Sequence, residues 1–285
     1  MSLLQNIKAI PVPALVLSAL LASHSGIVTA HEYWLDPVDA QWQVGDELQA
    51  DIRNGQDFTG TAYPFDPQGL SRAGLISDTK RVPLSGRLGD YPAINIPLSE
   101  AGLNLLLLET TQRELKYKDL EAFETFLDYH ALDDIKQKHK DRGMPTNDII
   151  EHYYRYCKTL VMVDAKDYVS SDSETGAQIN PVAALQLQDQ RFELLALDSP
   201  FNADSLSLQL LFEDKPVQQR QIELFHRDSS DAVVRITALT DSRGMVDFDV
   251  SSAGDYLVNS VLVLESETTQ AQWVTLWASL SFQQE

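Results

Sequence analysis

Alternating apolar and polar positions predict short strands over about residues 31–112. Leu48 to Ile52 alternate with the two-residue period of a half-buried strand. Leu103 to Glu109 is the most apolar run and predicts the most buried strand. Turn residues, at Asn54-Gly55 and at Asp66 to Gly69, separate these segments, so the region is predicted to be β.

The hydrophobic period changes between about residues 117 and 157. Leu120 to Leu127 carries apolar residues at the spacing of one helix face. Pro145 to Asp148 is a helix-start pattern, which predicts a second helix over Ile149 to Tyr156. Because a strand pattern returns at Lys158 to Val163, we interpret residues 117–157 as a helical insertion in a β domain.

The last third of the chain returns to strand patterning. Residues 165–182 are polar and are predicted to form a loop or linker. Alternation over residues 206–212, 246–250 and 274–282 predicts strands, and Thr240 to Gly244 predicts a tight turn. The sequence therefore predicts a mainly β protein with two β-sandwich-like domains, residues 31–178 and 179–285.

Residues 1–30 have the pattern of a secretory signal peptide. Lys8 precedes an apolar segment from Ala14 to Ala22, and Val28 to Ala30 ends in the small residue that a signal peptidase needs. Cleavage after Ala30 makes His31 the first residue of an exported, periplasmic chain. No later stretch reaches about 18 apolar residues, so no stable membrane insertion is expected after cleavage.

Composition narrows the range of possible functions further. The formal net charge of −20 becomes −21 once Lys8 is removed, which argues against nucleic acid as a partner. Cys157 is the single cysteine, so no internal disulfide can form, and we expect it to be a buried apolar residue of the second helix. The common phosphate-binding, metalloprotease and serine-hydrolase motifs are missing, which favours a protein that is not an enzyme.

A series of segments resembles the DUF4198 family, which is related to the periplasmic substrate-specific component of nickel and cobalt uptake systems. The series covers nearly the whole mature chain in order. Its members are His31 to Pro37, Arg53 to Gly60, Glu151 to Leu160, Leu211 to Val217, Thr240 to Gly244, and Trp273 to Phe282.

The resemblance implies an envelope location, a role with transition metals, and a membrane permease of a metal-uptake system as partner. It also implies a C-terminal domain similar to transthyretin-like and carboxypeptidase-regulatory-like sandwiches. One departure concerns the strand after Gly254, where similar proteins tend to carry a histidine and this chain has Asn259 to Val261. A metal role that depends on that histidine is therefore weakened.

Three residues are candidate metal ligands: His31, Asp148 and His152. After cleavage, His31 carries both a free amine and an imidazole, which together can chelate nickel, cobalt or copper. Asp148 and His152 lie four apart on the predicted helix and hence on one face. The plainer alternatives are that His31 packs or faces solvent and that Asp148 and His152 belong to a solvated helix face.

Other histidines and tryptophans have structural interpretations. His130 and His139 lie in a charged segment and are expected to face solvent, whereas His226 is expected to be a core or interface histidine. Trp273 and Trp277 point away from the apolar face of the last strand, where they would close an interface between domains or form a stacking platform for a sugar or peptide.

The leading hypothesis from the sequence is a periplasmic, non-enzymatic protein that binds a divalent transition metal through His31. The alternative is a metal-independent envelope module that recognises a polysaccharide or protein partner through its β surfaces. Glu151 and Arg155, four apart, are expected to form a surface ion pair in either case.

Overall fold

The computed structural model describes residues 31–165 and 182–284, and these residues fold mainly into strands. The mainly β prediction is therefore confirmed. The predicted signal peptide lies outside the described residues, and so does the linker predicted over 165–182 except for its two end residues. The strands of the first half are β1 (Glu32–Pro37), β2 (Trp42–Gln43), β3 (Glu47–Gln56), β4 (Thr59–Tyr63), β5 (Leu70–Ile76), β6 (Arg81–Pro83), β7 (Ile94–Pro97), β8 (Gly102–Thr110), β9 (Arg113–Asp119) and β10 (Asn147–Asp164).

Two helices, α1 (Leu120–Tyr129) and α2 (Asp133–Asp141), separate β9 from β10. Short 3-10 turns, Pro67–Gly69 and Ala183–Leu185, complete the helical part of the described residues. The strands of the second half are β11 (Phe192–Ala196), β12 (Ser205–Phe212), β13 (Lys215–Pro216), β14 (Gln221–Arg227), β15 (Val233–Leu239), β16 (Met245–Asp249), β17 (Gly254–Glu265) and β18 (Trp273–Gln284).

The strands form three sheets. A large sheet has the order β15-β14-β17-β18-β10-β8-β5-β6, and β2 and β9 also pair with β10. A smaller sheet contains β1, β3, β4 and β7, and another contains β11, β12, β13 and β16. Most pairs are antiparallel, but β10 runs parallel to β18 and to β2. The β10–β18 pair joins strands of the two predicted domains in one sheet.

Each smaller sheet covers part of the large one. Leu206, Leu208 and Leu210 of β12 pack with Leu224 and Val258 of the large sheet in one apolar core. On the other side, a second core joins the β1–β3 sheet to the large sheet, and it includes Leu35, Leu48, Ile52, Leu106 and Leu108. The result is a layered arrangement with the large sheet in the middle.

The first predicted helix is confirmed, since α1 begins one turn into the predicted insertion and buries Phe123, Phe126 and Leu127. The second predicted helix is wrong, because residues 149–156 lie inside β10. Ile149 to Tyr153 pair with β9, and Glu151 to Thr159 pair with β18, so two neighbouring strands satisfy this backbone. Cys157 is buried as expected, but in a strand.

One predicted turn is displaced by three residues. Asn54-Gly55 lies inside β3, and the chain reverses at Asp57 and Phe58, which both have positive φ. The turn predicted at Thr240 to Gly244 is confirmed. Asp241 Oδ1 accepts from the Arg243 and Met245 amides at 2.7 and 2.9 Å, and Gly244 takes a φ of +73° there.

Candidate functional site

His31 begins the described part of the chain in a fixed, half-buried position. Its carbonyl oxygen accepts from the Arg155 guanidinium at 3.3 Å, and that guanidinium also reaches Asn54 Oδ1 at 3.3 Å. The same group stacks between the rings of Tyr33 and Tyr153, at 4.5 and 4.8 Å from their centroids. Burial, with a smaller contribution from Arg155, lowers the pKa of His31, so its imidazole is neutral at pH 7.

Small polar side chains of the large sheet hold the strand that follows His31. The Tyr33 carbonyl accepts from Ser279 Oγ at 2.7 Å and from Cys157 Sγ at 3.4 Å. Two residues further on, the Leu35 carbonyl accepts from Ser281 Oγ at 2.6 Å. These contacts fix β1 against β10 and β18.

The other two predicted ligands do not lie near His31. Asp148 is exposed and its carboxylate lies 2.8 Å from Lys116 Nζ. His152 is buried with Nε2 3.5 Å from a Glu114 carboxylate oxygen. Because neighbours along a strand point to opposite faces, His152 and Arg155 face opposite sides of β10, and Arg155 is the one that contacts His31.

The structure therefore does not bring His31, Asp148 and His152 together. Within residues 31–165 and 182–284, no group of three or more histidine, cysteine, aspartate or glutamate side chains could hold a metal ion. The surface ion pair expected between Glu151 and Arg155 is also wrong, because both side chains are buried. Glu151 instead accepts from Thr275 Oγ1 at 2.7 Å, and burial raises its pKa to about 7.

A buried acidic cluster lies next to His31, at the beginning of β1. Glu32 is 1% exposed, and burial, followed by repulsion from Glu223, raises its pKa to about 8. Glu223 is also 1% exposed but accepts from His130 Nδ1 at 2.9 Å, Asn259 Nδ2 at 2.8 Å and Arg235 at 2.7 Å. Burial opposes ionisation of Glu223, yet these three partners outweigh it and hold the pKa at about 2.

Strand register explains how this cluster is assembled. Glu223, Asn259, Ser279 and Cys157 are successive partners across β14, β17, β18 and β10, so they form a polar row on one face of the large sheet. Asn259, where similar proteins were expected to carry a histidine, thus lies in the middle of the row. Three buried polar atoms close to it have no hydrogen-bond partner among the described residues: Glu32 Oε2, Asn259 Oδ1 and Trp277 Nε1.

The helices cover one end of the polar row, which corrects several expectations. His130 and His139 do not face solvent, being 5% and 2% exposed. The His130 ring lies edge-on to Trp277, with centroids 5.1 Å apart, and His139 Nδ1 accepts from Trp273 Nε1 at 3.1 Å. Both tryptophans are thus buried under α1 and α2, where β18 of the second predicted domain meets the helices of the first, and they form no open stacking platform.

His226 is half-buried and lies outside the apolar cores of the described residues. Its ring stacks on Tyr256 with centroids 4.6 Å apart, and its Nε2 lies 2.9 Å from the Ala253 carbonyl oxygen. The sequence missed the Glu32–Glu223 cluster, because its members come from β1, β14, β17 and the end of α1. The only signal available was the placement of a glutamate, Glu223, between apolar residues of a predicted strand.

Together, the fold and this site define a mainly β protein that buries an acidic cluster beside its first described strand. The chain matches the family described as "Domain of unknown function (DUF4198)" over residues 28–263, and it belongs to that family. No helix among the described residues has the length and apolar character needed to cross a bilayer. No match to a curated protein was found.

Two solved structures are similar to the chain at low levels. The D0-D1 domain of intimin is 9% identical, with 88% of this chain and 97% of that chain covered and a TM-score of 0.21. A tetra-tandem repeat in the extending region of a large adhesion protein is 13% identical, with 89% of this chain and 50% of that chain covered and a TM-score of 0.19.

Proposed function

We propose that the exported chain is a non-enzymatic periplasmic protein that binds a divalent transition metal at its start. Cleavage after Ala30 would leave an amine and an imidazole on His31, and these two nitrogens suit nickel, cobalt or copper. The observation that carries the proposal is the fixed, half-buried position of His31. A rigid chain start presents both nitrogens in one place, whereas a frayed terminus would lose entropy on binding.

The protonation state of His31 supports the proposal. Only a neutral imidazole has a lone pair for a metal, and burial keeps this ring neutral at pH 7 by lowering its pKa. A free α-amine has a pKa of about 7.7, so a metal can displace its proton near neutral pH. The guanidinium of Arg155 opposes a cation here, and the buried charge of Glu223 and the acidity of the whole chain favour one.

Asp148 and His152 do not fit as further ligands of this metal. Asp148 is paired with Lys116, and His152 lies on the opposite face of β10 from Arg155. The donors that fit are therefore those of His31 alone, and the open positions would be filled by water or by a partner. Such an incomplete coordination shell suits transfer to a membrane permease, the partner that the family resemblance implies.

The proposal also includes two β-sandwich-like modules, residues 31–178 and 179–285, the second of them transthyretin-like. What supports it is that β11, β12 and β16 share one apolar core with β14, β17 and β18. The boundary at 178 falls in 166–181, outside the described residues.

The test is a calorimetric titration of nickel, cobalt and copper into the untagged mature protein and its His31→Ala variant. We expect the substitution to weaken binding at least tenfold, because it removes one of the two chelating nitrogens. An Asp148→Ala/His152→Ala double variant is the matched control and should bind as the wild type does. A variant with one alanine added before His31 should also weaken binding, since the amine then belongs to another residue.

Equal binding by the wild type and His31→Ala would contradict the proposal. It would favour the alternative, a metal-independent module that recognises an envelope partner. Mass spectrometry of the exported chain gives a second check, because a mature chain that starts anywhere other than His31 cannot form the chelate.

A further inference from the structure

The strand β15 forms one edge of the large sheet and pairs with β14. Within residues 31–165 and 182–284, no other strand pairs with it. Along an antiparallel pair, residues that bond to the neighbouring strand alternate with residues whose backbone groups point away from it. Ala232 and Thr240, which flank β15, both bond on the β14 side. Four residues therefore direct their N–H and C=O groups away from β14: Val233, Arg235, Thr237 and Leu239.

This edge lacks the protection that edge strands usually carry. Lysine, proline or a bulge on an edge commonly prevents pairing with another chain. β15 contains no lysine and no proline, and its one charged residue, Arg235, lies 2.7 Å from the buried carboxylate of Glu223 in its own chain. Three apolar side chains of β15 are about half exposed: Val234 at 56%, Ile236 at 45% and Leu239 at 53%. An open backbone edge and exposed apolar side chains thus coincide on one strand.

We propose that β15 pairs in antiparallel orientation with β15 of a second copy of this chain, so that two large sheets join into one. A twofold axis at Ile236 places Val233 opposite Leu239 of the other copy. Arg235 then lies opposite Thr237, so all four outward-facing residues form hydrogen bonds across the axis. A shift of two residues in either direction leaves one of the four without a partner in the opposite strand.

The same register covers the exposed apolar side chains. Ile236 meets its own copy at the axis, and Val234 meets Ala238 of the other copy on the same face of the joined sheet. Leu239 meets Val233 of the other copy on the opposite face. Each apolar side chain that is exposed in the single chain therefore gains an apolar neighbour, and its burial favours association.

Charges beside the ends of β15 agree with the antiparallel orientation. Asp228 and Asp231 lie in the loop before β15. The chain beside the other end carries Arg220 and Arg243, and Arg243 also lies 3.8 Å from Asp241. Antiparallel pairing places each acidic loop beside the arginines of the other copy and keeps the two acidic loops at opposite ends of the strand pair.

The size of the contact predicts a weak dimer. Seven strand residues extend about 23 Å, so one strand pair falls well short of the roughly 1,600 Å² of a standard interface. The formal charge of −20 on each chain also opposes association. We therefore expect monomer and dimer to exchange in the micromolar range. The inference does not depend on the metal proposal, because His31 takes no part in the contact.

Cysteine cross-linking of the untagged mature protein tests the register. Facing residues of a non-hydrogen-bonded pair have Cβ atoms about 4.5–5.5 Å apart, so Ile236→Cys should form a disulfide-linked dimer under mild oxidation. Val234→Cys is the matched control, because Val234 lies on the same face and is the more exposed. In this register it is about 13 Å from its own copy and should not cross-link. Cys157 is 1% exposed and does not compete.

Sedimentation velocity in EDTA at rising protein concentration measures the dimer without a cross-link. Ile236→Lys places two like charges opposite each other at the axis and should weaken the dimer at least tenfold. Leu88→Lys, at a side chain that is 75% exposed outside β15, should dimerise as the wild type does. Thr237→Pro removes an outward N–H without removing a bond to β14, and it should also weaken the dimer.

The inference is overturned if the wild type stays monomeric at every concentration. It is also overturned if Val234→Cys cross-links as readily as Ile236→Cys, or if Leu88→Lys weakens the dimer as much as Ile236→Lys does. Ile236→Cys and Thr237→Pro decide the matter if Ile236→Lys does not fold. His31→Ala should dimerise as the wild type does, which separates this inference from the metal proposal.

Discussion

At the scale of single residues, the most unusual group is the carboxyl of Glu32. It lies one residue after the proposed metal ligand, is almost fully buried, and shares its surroundings with the charged Glu223. A buried carboxyl beside another negative charge keeps its proton, because ionisation would cost both desolvation and repulsion. The folded chain therefore holds a proton here that the unfolded chain releases in moderately acidic solution.

This difference predicts that Glu32 makes the protein less stable as the pH rises. The pKa of Glu32 is about 8 in the folded chain against 4.5 for a free glutamate, so the unfolded state binds fewer protons between these values. Stability is thus lost through that window, by at most about 1.4 kcal/mol per pH unit. In Glu32→Gln, the free energy of unfolding measured by urea titration should fall less steeply between pH 5 and 8.

Two comparisons make the pH experiment specific. Burial raises the pKa of Glu151 to about 7, so Glu151 also makes the unfolding free energy fall as the pH rises. This contribution remains in both the wild type and Glu32→Gln. Glu267→Gln, which changes an exposed glutamate, should leave the wild-type slope unchanged. Parallel pH profiles for the wild type and Glu32→Gln would show that Glu32 is ionised in the folded protein.

At the scale of elements, α1 depends on the residue that precedes it. Asp119 ends β9, and its Oδ1 accepts from the Ala122 amide at 3.0 Å, the contact of a helix N-cap. The helix buries Phe123 and Phe126 against Trp273 and Trp277. Loss of the cap should therefore loosen the cover over both tryptophans.

The predicted cost of Asp119→Ala is about 1 kcal/mol of unfolding free energy. Near-UV circular dichroism, which reports the packing of the tryptophans, should weaken at temperatures below the main transition. Asp119→Asn is the control, because asparagine caps helices about as well as aspartate and should behave like the wild type. Equal losses in both variants would assign the effect to charge instead of the cap.

The elements also show what local pattern can predict. Alternation predicted the strands β3, β12, β16 and β18, a continuous apolar run predicted β8, and helical spacing predicted α1. The helix predicted over residues 149–156 from the preceding helix-start pattern is absent. This segment is a strand, because β9 and β18 pair with it on both sides. The partner strand β18 is distant in sequence, so no window around β10 contains the information that makes it a strand.

The candidate sites show the same limit: local sequence predicts local features but not contacts between distant segments. His31 could be predicted as a candidate ligand from the sequence alone, because the argument needs only one residue and the predicted cleavage site before it. The pairing of His130 with Glu223 joins residues 93 positions apart, and it depends on how α1 packs on β14 and β17. The charged residues near His130 in the sequence predicted an exposed side chain, whereas tertiary packing buries it.

At the scale of the whole molecule, β18 joins the two halves of the chain. It pairs with β17 of its own half and, in parallel, with β10 of the other half. Thr159 and Ser281 are register partners and lie 122 residues apart in sequence. A sheet shared in this way couples the stability of both halves.

We therefore predict a single cooperative unfolding transition. A Trp273→Phe/Trp277→Phe variant retains the fluorescence of Trp34 and Trp42, and the converse Trp34→Phe/Trp42→Phe variant reports on the C-terminal half. Each variant should unfold in urea with a fluorescence midpoint that coincides with its own far-UV circular dichroism midpoint. A fluorescence midpoint separated from the dichroism midpoint in either variant would mean that the halves unfold independently.

The parallel β10–β18 pair also determines how late in synthesis the large sheet can form completely. The central strand of the large sheet emerges from the ribosome long before the twelve residues of β18 that form its neighbour. Until those residues are synthesised, β10 has an open edge, and contacts between such distant segments form slowly. The nascent chain therefore stays without its finished central sheet until β18 has been synthesised.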